Sequence, residues 1–181
     1  MKWTTAVVTL IAAALLSSCD NSGNEQAAPA SAEPLRPASL READPCSFLP
    51  ESSTAPYGLH PGLLHKGEVV RSCMWPAETF SVGVYINWDP QVLVNFSQAY
   101  PLPAGEAVID GVAVFLQKSN TIPACGMAFP AERGTVIEVV SGDRPPATAD
   151  HACDRVKKVG TEVIRRMRGQ GVLDKAFTAP G

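Results

Sequence analysis

No two of the five cysteines in this 181-residue chain stand two to four positions apart, so the spacing of a four-thiolate zinc site or of a redox Cys-x-x-Cys motif is missing. The three histidines, His60, His65 and His151, lie outside any His-Glu-x-x-His arrangement. There is no Gly-x-Ser-x-Gly elbow for a serine nucleophile, and no glycine-rich phosphate loop precedes a helix. Charged residues make up only 18% of the chain and the formal net charge is -3, which leaves no electrostatic footprint for nucleic acid. No second long apolar run follows Cys19, so the expected mature protein is anchored and does not span. These absences predict a protein with no catalytic residue, no cofactor, no metal site and no nucleic-acid partner.

What is present starts at the N-terminus. Met1-Lys2 gives a short positive start, and Ala6 to Leu16 is apolar apart from Thr9. That run is too short for a bilayer span, which takes about 20 residues, but it suits a signal-peptide core. Leu16-Ser17-Ser18-Cys19 follows: a branched residue, two small residues that let a peptidase approach the backbone, and a cysteine whose thiol takes the lipid. The expectation is a signal peptide over 1–18, lipidation at Cys19, and a location on the outer face of the cell membrane. Loss of Lys2 with the signal takes the formal charge from -3 to -4.

Setting Cys19 aside leaves Cys46, Cys73, Cys125 and Cys153, an even set that suits disulfides in an exported domain. Spacing leaves all three connectivities open. Sequential pairing would close two loops of under thirty residues, each stabilising the fold by about 3 to 4 kcal/mol in the chain-entropy account.

Residues 19–43 are dominated by Asn, Ser, Gly, Glu, Gln, Ala and Pro, with Leu35 and Leu40 the only sizeable apolar side chains. Such a segment buries too little to offset its ordering entropy, so a disordered tether is expected, followed by one globular domain over 44–170 and a flexible tail over 171–181. Asp44-Pro45 reads as a cap and first position of a short helix that Pro50 ends. A Pro, Ser and Gly-rich loop then runs to about Lys66. Glu68 to Trp75 reads as a strand with Val69, Arg71, Cys73 and Trp75 on one face. In the next strand Phe80, Val82, Val84, Ile86 and Trp88 alternate with Ser81, Gly83, Tyr85 and Asn87.

Asp89-Pro90 opens a short helix through Leu93 and Phe96, and Asp110-Gly111 suits a tight turn inside the run from Ala107 to Leu116. Ile122 to Phe129 and Thr135 to Val140 are two further strands. After Pro145-Pro146, the residues Ala149, Cys153, Val156, Val159, Gly160, Val163, Ile164 and Met167 recur at spacings of three and four, which predicts a long amphipathic helix. Its other face carries Arg155, Lys157, Lys158, Glu162, Arg165 and Arg166, read as solvated. Hairpin turns without long crossover helices predict an α+β domain: an antiparallel sheet flanked by a short N-terminal helix and a long C-terminal helix.

Asp44-Pro45-Cys46-Ser47-Phe48-Leu49, Cys73-Met74-Trp75 and His151-Ala152-Cys153-Asp154, taken with the lipobox, resemble the actinobacterial lipoproteins grouped as a domain of unknown function. The likeness covers about residues 44–168. It implies pairing of Cys46 with Cys73 and of Cys125 with Cys153. Members of that group usually continue into a longer helix where this chain has Pro50, and the group carries no established catalytic residue to transfer. The order of elements is also loosely similar to the fold shared by the photosystem-associated PsbP proteins and the Mog1 nuclear-transport factor, an analogy without functional content.

The remaining polar residues have plain structural explanations. His60 and His65 fall in the Gly/Pro-rich loop and read as solvated; Asp44, Asp89 and Asp150 suit helix starts and Asp110 a turn. Trp75 and Trp88 read as core. The function these features favour is a non-enzymatic module of the cell envelope, attached to the membrane through its N-terminal lipid and meeting a small apolar ligand or another envelope protein. The alternative is a cell-envelope enzyme whose site is assembled from scattered residues.

Overall fold

The computed structural model describes residues 39–132 and 134–173. The expected signal peptide, Cys19 and most of the expected tether therefore lie outside the described residues, as do Arg133 and the end of the expected tail. Seven strands are present among the described residues: β1 Leu63–Lys66, β2 Val70–Pro76, β3 Phe80–Asn87, β4 Leu102–Ile109, β5 Val112–Lys118, β6 Ala124–Glu132 and β7 Thr135–Asp143. They form one sheet in the order β1-β2-β3-β7-β6-β5-β4, and every neighbouring pair is antiparallel. The helices are α1 Glu51–Thr54, α2 Val92–Ala99 and α3 Ala149–Gly169. The domain is thus α+β, with a mainly antiparallel hairpin architecture and a long C-terminal helix.

The period-two pattern decides the faces. Val82, Val84 and Ile86 on β3 and Ile137 and Val139 on β7 are buried under α3, while Tyr85 and Glu138 between them point to the opposite face. The Asp110-Gly111 turn has φ of 48° and 79°, the two positive values that a tight hairpin turn of matching twist needs. On α3 the inward stripe comprises Ala152, Cys153, Val156, Val159, Gly160, Val163, Ile164 and Met167. Gly160 lets the helix settle closely on the sheet: a Cβ there would stand 2.5 Å from the Met127 sulfur.

Two disulfides fasten this layer. Cys46, in a 3-10 turn at Pro45–Phe48, joins Cys73 on β2, with Cα atoms 5.1 Å apart. Cys125 on β6 joins Cys153 on α3, with Cα atoms 5.0 Å apart. These are the pairs that the family resemblance implies. The Asp44 carboxylate accepts from the Cys46 backbone N–H at 2.8 Å, so Asp44 does cap the turn before Pro50.

Several boundaries differ from the sequence reading. Leu40 and Ala43, placed in the tether, are buried at 1% and 4%, and Arg71 donates to the Glu42 carbonyl at 2.7 Å. Burial of Leu40 and Ala43, together with the Arg71 hydrogen bond, brings the end of that polar segment onto the domain. Leu173, placed in the tail, is likewise buried, because the chain after α3 turns back with Val172 N–H on the Met167 carbonyl. The stretch Leu63–Lys66, read as loop, forms the exposed edge strand β1, held by its ladder to β2 and not by burial. In α2 it is Val92 and Phe96 that face inward, and Leu93 is exposed.

Candidate functional site

Between Pro50 and β1 the chain runs beside α3 and leaves a cleft against it. Pro50 cannot continue the 3-10 turn before it, so the chain restarts as α1, with the Thr54 hydroxyl donating to the Glu51 carbonyl at 3.2 Å. A further 3-10 turn at Ala55–Tyr57 ends on Gly58, whose φ of 66° turns the chain and lets Leu59 N–H reach the Thr54 carbonyl. This tight path projects Pro56, Tyr57 and Leu59 toward α3.

The resulting cleft has a volume of about 480 Å3. Leu49, Leu59 and Val159 supply an apolar floor, and Lys158, Thr161 and Arg165 line the α3 side. Ser53 donates to Glu162 Oε1 at 3.2 Å across it, and Arg165 Nε is tied to Asp110 Oδ2 at 3.1 Å. A smaller depression of about 230 Å3, bordered by Tyr57, His151, Asp154, Arg155 and Lys158, shares Tyr57 and Lys158 with the first. The larger volume lies within the range of small-molecule sites, and its makeup, apolar with a few polar groups at the edge, is that of a binding recess.

A family model described as a protein of unknown function (DUF3558) matches residues 14–166. The chain belongs to the DUF3558 family. Both walls of the cleft and both disulfides fall inside the DUF3558 match. No curated protein and no solved structure matches the chain. No described helix of this DUF3558 protein is long and apolar enough to cross a membrane.

The residues singled out in the sequence are scattered. Cys46, Cys73, Cys125 and Cys153 are staples; Cys19 lies outside the described residues. His60 and His65 are exposed, and His151 alone of the three borders either depression. Trp75 is core, and Trp88 is half-buried beneath the Arg41 guanidinium, 5.7 Å from its ring centre. Asp89 accepts from Gln91 N–H ahead of α2, and Asp150 in the first turn of α3 meets Lys118, whose hydrogen bond and charge hold its carboxyl below the usual range.

Arg155 is a correction. Read as part of a solvated face, it turns inward: its guanidinium pairs with the buried Asp143, donates to Ser141 Oγ at 2.8 Å, and stacks over the Phe80 ring at 3.7 Å. Helical spacing puts Arg155 among polar neighbours, but Asp143 at the end of the central strand β7 supplies a carboxylate beneath it. The cleft walls Ser53, Tyr57 and Leu59 carry no motif and sit in a segment whose composition reads as loop. The only signal available was the apolar cluster of Pro56, Tyr57 and Leu59 within it.

Proposed function

We propose that this protein is a lipid-anchored module of the extracytoplasmic membrane face, without enzymatic activity of its own, that holds a small, mainly apolar ligand in the cleft beside α3. The observation that carries the binding role is the cleft itself: about 480 Å3, apolar at its floor and polar at its edge. The two disulfides support an oxidising compartment, and Leu16 to Cys19 supports lipid attachment there. Ligand binding would not require an acid, a base or a nucleophile.

Two measurements test this reading. Metabolic labelling with a fatty-acid probe should mark the wild-type protein and not Cys19→Ala; equal labelling would end the anchoring proposal. An apolar fluorescent probe should bind the purified protein saturably, and Leu59→Trp, which narrows the cleft, should weaken that binding at least tenfold at unchanged melting temperature. Undiminished binding by a folded Leu59→Trp variant would rule out the cleft.

A further inference from the structure

On the face of the sheet away from α3, a half-buried carboxylate and two tyrosines stand on neighbouring strands and the segment that crosses them. Glu138 on β7 is the direct cross-strand partner of Tyr85 on β3, so their side chains stand side by side on that face. The Tyr85 ring leans over Gly83, where a Cβ would come within 2.8 Å of it. Tyr100, just after α2, packs on Phe96 with ring centres 5.2 Å apart, and the two rings cover Gly126, where a Cβ would stand 2.6 Å from Phe96 and 3.2 Å from Tyr100. Gly126 is paired with Val140, two residues along β7 from Glu138 on the same face. The two glycines therefore leave room for the two rings on either side of Val140, the next residue after Glu138 on that face of β7.

The carboxylate is half-buried and has one hydrogen-bond donor, Asn87 Nδ2, at 2.8 Å. The three ion pairs of the described residues, Lys118 with Asp150, Arg155 with Asp143 and Arg165 with Asp110, do not include it. Burial accordingly raises its pKa, and burial together with the charges of Tyr85 and Glu138 pushes the Tyr100 hydroxyl up to about 12. A desolvated anion without a counter-ion is stabilised by any cation that reaches it, and the faces of tyrosine rings attract the same charge. Met74 and Val140, whose side chains meet at Gly83, add apolar surface beside it.

We infer that Glu138, Tyr85 and Tyr100 form a second binding site, opposite the α3 cleft, for an alkylammonium group carried on a short apolar stem. The carboxylate takes the positive charge, the rings flank the ammonium and its first methylenes, and Met74 and Val140 meet the stem. This site does not depend on the cleft reading, because the two lie on opposite faces of the sheet.

The test uses the folded protein and three small probes of matched stem: n-butylammonium, n-butanol and butyrate. Titrations followed by two-dimensional NMR should show saturable shifts of the Tyr85 and Tyr100 ring signals and the Glu138 amide with n-butylammonium, and no comparable shifts with the other two. Glu138→Gln retains the acceptor for Asn87 and should weaken n-butylammonium at least tenfold, while Tyr85→Leu and Tyr100→Leu should each weaken it several-fold. Equal shifts with n-butanol would reduce the site to an apolar patch and overturn the inference. So would absence of saturation with n-butylammonium in the wild-type protein, or unchanged affinity in Glu138→Gln.

Discussion

The two faces of the sheet are built from the same strands and end up with opposite properties. Under α3, Val82, Val84, Ile86, Met127, Phe129, Ile137 and Val139 are all at 1% exposure or less, and the Cys125–Cys153 disulfide ties that helix to the sheet. On the other face the eight-residue α2 buries only Val92 and Phe96 against Ala128 and Val136. Around it Tyr85, Glu138 and Val140 stay half-exposed, and Phe115 and Val108 stand at 42% and 63%. One face is spent on holding the fold together; the other keeps polar and aromatic groups within reach of solvent. Substitutions in the layer between the sheet and α3 should act on stability, and those around Glu138 on binding at that face.

The sharpest way to break this contrast is Arg155→Leu. It strands the Asp143 carboxylate, 3% exposed, without its cation, and should cost about 3 to 5 kcal/mol in denaturant unfolding. A loss below about 1 kcal/mol would mean that water reaches Asp143 and that the α3 side is less closed than its burial indicates. Next, replacing Cys125 and Cys153 together by alanine reopens a loop with a sequence separation of 28 residues, for an expected loss of about 3 to 4 kcal/mol. Chemical denaturation of the two proteins under non-reducing conditions measures it.

On the open face the signs change. Burial holds the Glu138 carboxyl above its ordinary value of 4.5, with Asn87, Tyr85 and Tyr100 as the polar neighbours facing it. The folded state therefore keeps the proton longer than the unfolded chain, and this residue's contribution to stability falls as pH rises from about 4.5 through the raised folded value. Glu138→Gln does not titrate, so it should be more stable than wild type near neutral pH, with the gap closing on acidification below 4.5. Melting curves across that pH range decide it, and a variant less stable than wild type at pH 7 would contradict the desolvation of this carboxylate. The smallest effect is expected for Phe115→Ser, within about 0.5 kcal/mol of wild type, as for a surface position. A loss comparable to that of Arg155→Leu would erase the distinction between the faces.

The closed face was the legible one. Its residues announce themselves through local periodicity: alternation in Phe80 to Asn87, and spacings of three and four from Cys153 to Met167. The Asp110-Gly111 turn was legible for a similar reason, since its backbone needs are met by two adjacent residues. What stayed hidden depends on residues far apart in the chain. Glu138 reads as an ordinary outward residue of an alternating strand; its half-buried place, with Asn87 and Tyr85 on β3 and Tyr100 after α2 as neighbours, depends on residues far from it in the chain. The cleft needs Tyr57 and Leu59 to meet Lys158 and Thr161, and Leu40 needed a core to fall into before its place was evident. β1 has no apolar alternation because neither of its faces is covered.

The sheet order also governs how the molecule is assembled in time. The first three strands and the next three are each linked by short connections, but the two groups meet only through β7, the last of the described strands in chain order, which pairs with β3 on one side and β6 on the other. Val84 must find Val139 across more than fifty intervening residues, a closure that slows folding relative to local hairpins. Until β7 arrives, β3 and β6 each present an unpaired edge, the kind of surface to which stray chains add. Pairing of β7 closes both of these edges, so truncation before Thr135 would leave β3 and β6 open to aggregation.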